Sequence, residues 1–481
     1  MNLPDAEVAE QEWAAGGHRA AIEAADRALA AGADPHGRAA AVAAAAAAAD
    51  GALHDATARW RRLAETLPDT PGVEARGRAA LGAALTGCAA AAAADLGTAR
   101  AAVADHAPRG LTVLFSGVEA VLGAMRGDLP TAADRLVGLA ATTIPPDPYA
   151  FESWSELAAT AAAANGDTAT ALAVLATRGE GPSPERLSLR GTLLTGWLAM
   201  QTGRHGEARD ALAAAADTPA LRRNGVLAAA VTVGLIRRAG DSRALGSTWR
   251  RIAPVIAGAD LELLHLDIWG EFSVAAAAVA PATAASIARA MDATIRRAGS
   301  PPWALATGAW WAVQRAAVRD EPADEPVVVA LSGSPYADAI GAGARTWAAV
   351  LDGRVDAHQV LHAVAGLVDA GRPWDGASLA AAAADRATDA LVARQLLSAV
   401  RGLRVRAGAQ SAGGDDGLSL REREIGRLLL DGHTQREIGA KLYLSPKTVQ
   451  QHVTRLRQKL VADNRAELIA ALRDRWASAQ R

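Results

Sequence analysis

The chain has 481 residues, 50 Lys+Arg against 52 Asp+Glu, and one cysteine, Cys88. Hydrophobic residues reach 51% while aromatics stay at 4%, because alanine dominates the apolar set; disorder throughout is excluded, and helices packed through small side chains are expected. A single cysteine excludes an intramolecular disulfide framework and any site that needs two thiolates.

The opening MNLPDAEVAEQEW has no basic stretch followed by an apolar one, so no signal peptide is expected. The alanine runs at 39–49 and 89–94 are too short or too interrupted to span a membrane, and the expectation is a soluble, cytoplasmic chain.

Residues 1–405 carry a recurring phrase: a glycine, a short polar turn, then a helix with alanine near its start. It begins at Gly17, Gly51, Gly127, Gly166, Gly203, Gly240 and Gly353, and several intervals are 34 to 39 residues. That is the length of a helix–turn–helix unit of the tetratricopeptide kind. Glycine in a left-handed conformation would end one helix, and polar residues would start the next. The copies are degenerate, so the prediction is an irregular, TPR-like α-solenoid, with an irregular bundle as the alternative. Arg319–Tyr336 is a Pro/acidic break and a candidate sub-boundary near 320–336. A flexible linker is expected over 406–417, where Gly408–Gly417 reads GAQSAGGDDG.

Several features of this body invite a reading as sites. Trp303, Trp310 and Trp311 lie in one helical region and are read as core more readily than as the wall of a ligand pocket. His265 and Asp267 lack a third metal ligand at suitable spacing. Ser332 has no nucleophile-elbow surroundings, and Cys88 reads as a small core residue. No catalytic set emerges, no cofactor or metal is implied, and the expectation is a chain that is not an enzyme.

Beyond the linker the character changes. All three lysines, Lys441, Lys447 and Lys459, lie there; Ser419–Arg481 carries a net +6 and the remainder a net −8. A basic end on an acidic body points to nucleic-acid contact at one end. Residues 418–481 read as four helices. Ser419 and Glu422 suit a capping box for the first, which stops at Asp431-Gly432; Thr434 and Glu437 suit one for the second. Ser445-Pro446 is an N-cap followed by proline at the first helical position of the third, which runs to Leu460; the fourth covers roughly Arg465–Trp476. In the third helix Val449, Val453, Leu456 and Leu460, spaced 4, 3 and 4, form one apolar face. Lys447, Gln451, Thr454 and Gln458 fall opposite, flanked by Gln450 and Arg457 on one side and Thr448 and Arg455 on the other. Glutamine can pair with adenine in the major groove, while Arg and Lys neutralise phosphates.

The segment from Leu418 to Leu472 resembles the LuxR-type (GerE-like) helix-turn-helix family from end to end. The resemblance rests on Arg421-Glu422-Arg423-Glu424, Glu437-Ile438-Gly439, Leu444-Ser445-Pro446-Lys447-Thr448-Val449, His452, Lys459-Leu460 and Asn464-Arg465-Ala466-Glu467-Leu468. It implies that the third helix enters the major groove and that the fourth pairs two copies on DNA. By position it assigns base reading to Gln450, Gln451 and Thr454, and backbone contact to Lys447, Thr448, His452, Arg455 and Arg457. The dimer face would be Ala466, Ile469, Ala470 and Arg473. Val461 stands where the family usually has glycine, and Asp463 where a basic or small residue is common, so the last turn is expected to differ.

The absence of lysine before residue 441 excludes a phosphate-binding P-loop. The body is similar to the helical-repeat arm of the large ATP-binding LuxR-type regulators, without their nucleotide domain; Leu361–Leu403 looks like the last repeats of such an arm. The reading is therefore an all-α regulator that binds double-stranded DNA as a homodimer. Its helical-repeat body would sense a protein, peptide or small-molecule effector, and no membrane partner is expected. The alternative is a protein-interaction scaffold whose C-terminal module mainly dimerises.

Overall fold

The computed structural model describes residues 4–103, 107–142, 147–177, 185–216, 221–323, 334–411, 420–430, 432–442, 446–460, 462 and 464–478. Within these, only the backbone is described at 185–188, 242, 404–411, 420–424, 439–442, 446–448, 451, 455, 458–459, 466 and 474–478. The chain divides into two compact units, 1–404 and 405–481. Among the described residues there is no strand and no helix long and apolar enough to cross a membrane.

The first unit holds α1 (Asp5–Ala14), α2 (His18–Ala30), α3 (Arg38–Ala49), α4 (Leu53–Thr66), α5 (Asp69–Leu85), α6 (Ala89–Val103), α7 (Arg109–Met125) and α8 (Leu129–Ala140). It continues with α9 (Trp154–Ala164), α10 (Thr168–Ala176), α11 (Glu185–Gln201), α12 (His205–Ala215), α13 (Arg222–Ala239) and α14 (Ser242–Ala257). A 3-10 turn, Leu263–His265, precedes α15 (Leu266–Val279) and α16 (Pro281–Arg297). Then come α17 (Pro302–Arg319), α18 (Pro335–Leu351), α19 (Ala357–Asp369), α20 (Pro373–Arg386) and α21 (Ala390–Ser411), whose end enters the second unit.

The recurring phrase has a physical basis in the turns. Gly127, Gly166 and Gly240 take positive φ and end α7, α9 and α13. The aspartate that follows each one caps the next helix: Asp128 accepts from Thr131 N, Asp167 from Thr170 N and Asp241 from Ala244 N. Gly87, at φ +78°, falls between Gly51 and Gly127 and makes the series continuous. At the first copy the left-handed residue is Gly16, and Gly17 is the N-cap of α2.

Successive helices form antiparallel hairpins, and the first helices of neighbouring hairpins touch: α9 with α11, α11 with α13, α13 with α15 and α15 with α17. Such stacking buries a continuous core that no single hairpin could form alone. Alanine makes this possible at close range; nine residues of α3 are buried, eight of them alanines. Trp303, Trp310 and Trp311 are core residues: Trp303 Nε1 donates to Ala124 O at 2.8 Å, Trp310 packs edge-on against Trp347, and Trp311 Nε1 donates to Asp267 Oδ1 at 2.8 Å. Cys88 is half-buried against the same core.

The array closes on itself. Helix C-termini leave carbonyl groups without intrahelical partners, and donors from the second half of the body reach those of the first half. Asp260 N donates to Gly51 O at 2.8 Å after α3, and Arg297 Nη2 donates to Thr86 O at 3.3 Å after α5. Trp303 Nε1 does the same at the end of α7. After α9, a Cβ at Gly166 would overlap the Tyr336 ring of α18.

The segment between α8 and α9 ties back onto α1 and α5. Arg78 holds Asp147 with two bonds of 2.8 and 3.0 Å, Trp13 Nε1 donates to Pro148 O, and Tyr149 Oη donates to Glu10 at 2.6 Å. This strap ends on a buried ion cluster. Arg223 donates to Phe151 O at 2.7 Å and pairs with Glu152 and Glu262, each at 2.5 Å. Burial alone would push the Arg223 guanidinium down; Glu152 and Glu262 more than reverse this and hold it above its usual value. His265 belongs to this cluster, with Nδ1 3.4 Å from Glu262 and Nε2 3.4 Å from Arg190. Asp267 pairs with Arg372. Among the described residues no cluster suits a metal ion.

Candidate nucleic-acid interface

The second unit holds α22 (Leu420–Leu430), α23 (Gln435–Leu442), α24 (Pro446–Leu460) and α25 (Arg465–Ser478). Its core joins Ile425 and Leu429 of α22, Ile438 of α23, Val449, Val453 and Leu456 of α24, and Leu468 and Leu472 of α25. The apolar face expected of the third helix is therefore the buried one, with Leu460 packed at its end. Burying these aliphatic side chains at about 1.5–3 kcal/mol each fixes the rotation of α24 about its axis.

That rotation sets what faces out. Gln450 and Thr454, one turn apart, are both exposed. Thr454 Oγ1 donates to Gln450 O at 3.0 Å, which leaves its oxygen lone pairs facing solvent. The stripe thus presents an amide with two donors and one acceptor beside a hydroxyl oxygen, a set able to match the edge of a base. His452 is half-buried at the flank. The side chains of Lys447, Thr448, Gln451 and Arg455 lie outside the described residues, as do those of Ser419, Glu422 and Ser445 at the expected caps.

Arg457 has a structural occupation. Its Nε donates to Ala462 O at 3.3 Å, while Ala462 N donates to Arg457 O at 2.9 Å. The second bond spans five residues and closes the C-terminus of α24; Val461 and Asp463, the two departures from the family pattern, lie outside the described residues.

Two reciprocal caps frame the module. Thr434 N donates to Glu437 Oε2 at 2.8 Å and Glu437 N to Thr434 Oγ1 at 3.3 Å, the box expected for the second helix. Asn464 builds a similar one: Glu467 N donates to its Oδ1 at 2.9 Å and its Nδ2 donates to Glu467 Oε1 at 2.5 Å. The Asn-x-x-Glu spacing could have announced this cap. A further tie, Arg465 Nη2 to His433 O at 2.8 Å, has no sequence signature. On α25, Ala470 and Arg473 are exposed and Ile469 is half-buried, while the side chain of Ala466 lies outside the described residues.

A model of a family described as bacterial regulatory proteins, luxR family, matches residues 416–472. The transcriptional regulatory protein UhpA of Salmonella typhimurium is 42% identical over 66 residues, 14% of this chain and 34% of UhpA. The transcriptional regulatory protein DegU of Brevibacillus brevis is 37% identical over 60 residues, 12% of this chain and 25% of DegU. The spore germination protein GerE of Bacillus subtilis is 38% identical over 55 residues, 11% of this chain and 74% of GerE. This chain thus spans about a third of UhpA's length and most of GerE's, and it does so with its C-terminal unit alone. No solved structure gives a significant match.

Proposed function

Given that the chain belongs to the luxR family of bacterial regulatory proteins through residues 416–472, we propose that it is a transcription regulator that reads a specific sequence of double-stranded DNA. The observation that carries this is the fixed rotation of α24: Val449, Val453 and Leu456 lie in the core while Gln450 and Thr454 face out. In this reading α24 lies in the major groove. Gln450, Gln451 and Thr454 contact base edges, and Lys447, Thr448, His452, Arg455 and Arg457 contact the backbone. Helix α25, through Ala466, Ile469, Ala470 and Arg473, pairs two copies over a two-fold symmetric site. The acidic body receives an effector, and the 406–417 segment carries the signal to the DNA-binding unit.

Selection of bound fragments from random DNA with the full chain, followed by a mobility shift on the selected sequence, tests this. Enrichment of a defined motif that survives physiological salt is expected. Only weak, sequence-blind binding that salt erases would favour the scaffold alternative, in which the C-terminal unit mainly dimerises.

A further inference from the structure

A groove of about 470 Å³ lies between α16 and α17, within the size range of small-molecule sites. Its depth comes from missing side chains: α17 lines it with Gly308, Ala309, Ala312 and Ala316, and buried Ile295 forms part of the floor. Arg315 reaches into this apolar surround. It donates through Nη1 to Ser273 Oγ at 3.2 Å, and among the described residues no carboxylate forms an ion pair with it. The other deeply placed arginines of the body are matched: Arg223 by Glu152 and Glu262, Arg237 and Arg238 by Glu271, Arg372 by Asp267 and Asp375. Burial pushes the Arg315 guanidinium down, and only the field of Asp292 opposes it. Nearby, Arg319 is already engaged by Glu321 at 2.6 Å.

A half-buried guanidinium without a counter-ion is costly unless an anion completes it. Asp292 and Arg296 also line the groove but are exposed, so among the described residues Arg315 is its one half-buried cation without a counter-ion; the planar fork suits a carboxylate, and the glycine–alanine wall suits an apolar body. We propose that this groove binds a small organic monocarboxylate, with the carboxylate on Arg315 and the apolar body along the Gly308–Ala316 face of α17. This names a ligand class for the effector in the regulator reading, on which that role rests; the binding itself is measured without DNA, so either can fail alone.

Calorimetric titration of the full chain with octanoate and 3-phenylpropanoate, and with octanamide as the neutral control, tests the site. Saturable binding of the acids is expected, with the amide about tenfold or more weaker. Arg315→Gln should lower acid affinity about tenfold to hundredfold and leave the amide unchanged, and Arg315→Lys should fall between. Ala312→Trp, at an exposed position of the wall, should abolish binding of both acids while the thermal unfolding midpoint holds. No saturable heat at millimolar acid, equal affinity for acid and amide, or indifference to Arg315→Gln would overturn the proposal. So would binding that appears only after residues 325–331 are replaced by a Gly/Ser run, because the groove would then belong to the chain's own Val327–Leu331.

Discussion

Arg465 donates to the backbone carbonyl of His433 at 2.8 Å, so the first residue of α25 is latched to the turn that precedes α23. The helix assigned to pairing and the helix that supports the reading helix are thereby joined through one guanidinium. Arg465→Ala should cost about 1 kcal/mol of the second unit's stability. It should also speed amide hydrogen exchange in α25 of the full chain, with the first unit unchanged; unaltered exchange in α25 would show the latch to be idle.

Gln450 and Thr454 share the outward stripe of α24, and an exposed glutamine contributes little to stability. A Gln450→Ala, Gln451→Ala, Thr454→Ala triple variant should fold as the parent does. Its discrimination between the selected sequence and a scrambled one should fall by about 1–3 kcal/mol for each base left unread. Competition mobility shifts measure this directly, and retained selectivity would remove these residues from base recognition.

Arg455 and Arg457 separate two roles. Arg455→Ala should weaken all sequences alike and reduce the slope of log affinity against log salt by about one. Arg457→Ala loses a bond to Ala462 O as well, so a fall in stability should accompany any change in slope. A stability loss with an unaltered slope would assign Arg457 to the turn alone.

Arg223 sits between Glu152 and Glu262 inside the body. Arg223→Met leaves buried Glu152 and Glu262 only their longer guanidinium contacts to Arg190, at 3.6 and 3.8 Å, and should cost about 3–5 kcal/mol, read by denaturant unfolding. Adding Glu152→Gln and Glu262→Gln should recover part of that loss. A single variant as stable as the parent would mean that the cluster has no part in holding the strap.

His205 gives the body a pH dependence. Burial, then Arg238 and Arg209, lower its pKa to about 4, against an ordinary value of 6.5. Its folded value lies below its unfolded one, so the unfolded chain binds the proton more readily. The stability His205 supports is complete above pH 6.5 and is lost as pH falls toward 4, by up to about 1–3 kcal/mol. His205→Gln should flatten unfolding midpoints across that interval; an undiminished slope would place the titrating group elsewhere.

What the sequence disclosed follows the range of each interaction. The C-terminal helices were legible because their signals are local: the 4-3-4 spacing of Val449, Val453, Leu456 and Leu460, proline at 446, and Thr434 three residues before Glu437. The Gly-Asp turns were legible for the same reason, while Gly87 escaped because Cys88 and an alanine run, with no polar residue before Asp95, follow it. The closure of the body was not legible. Asp260 N reaches Gly51 O across more than two hundred residues, through main-chain atoms that every residue type carries. Nor was the Arg223 cluster, since isolated arginines and glutamates in helical sequence read as surface until the fold encloses them.

The donors that end α3, α5 and α7 come from fixed places in the second half, Asp260, Arg297 and Trp303. An open array tolerates gain or loss of a unit, because each hairpin answers only to its neighbours. Here an extra hairpin between α7 and α13 would carry all three donors past their acceptors at once. Gain or loss of a hairpin there would break all three closures together, a cost that an open array does not carry.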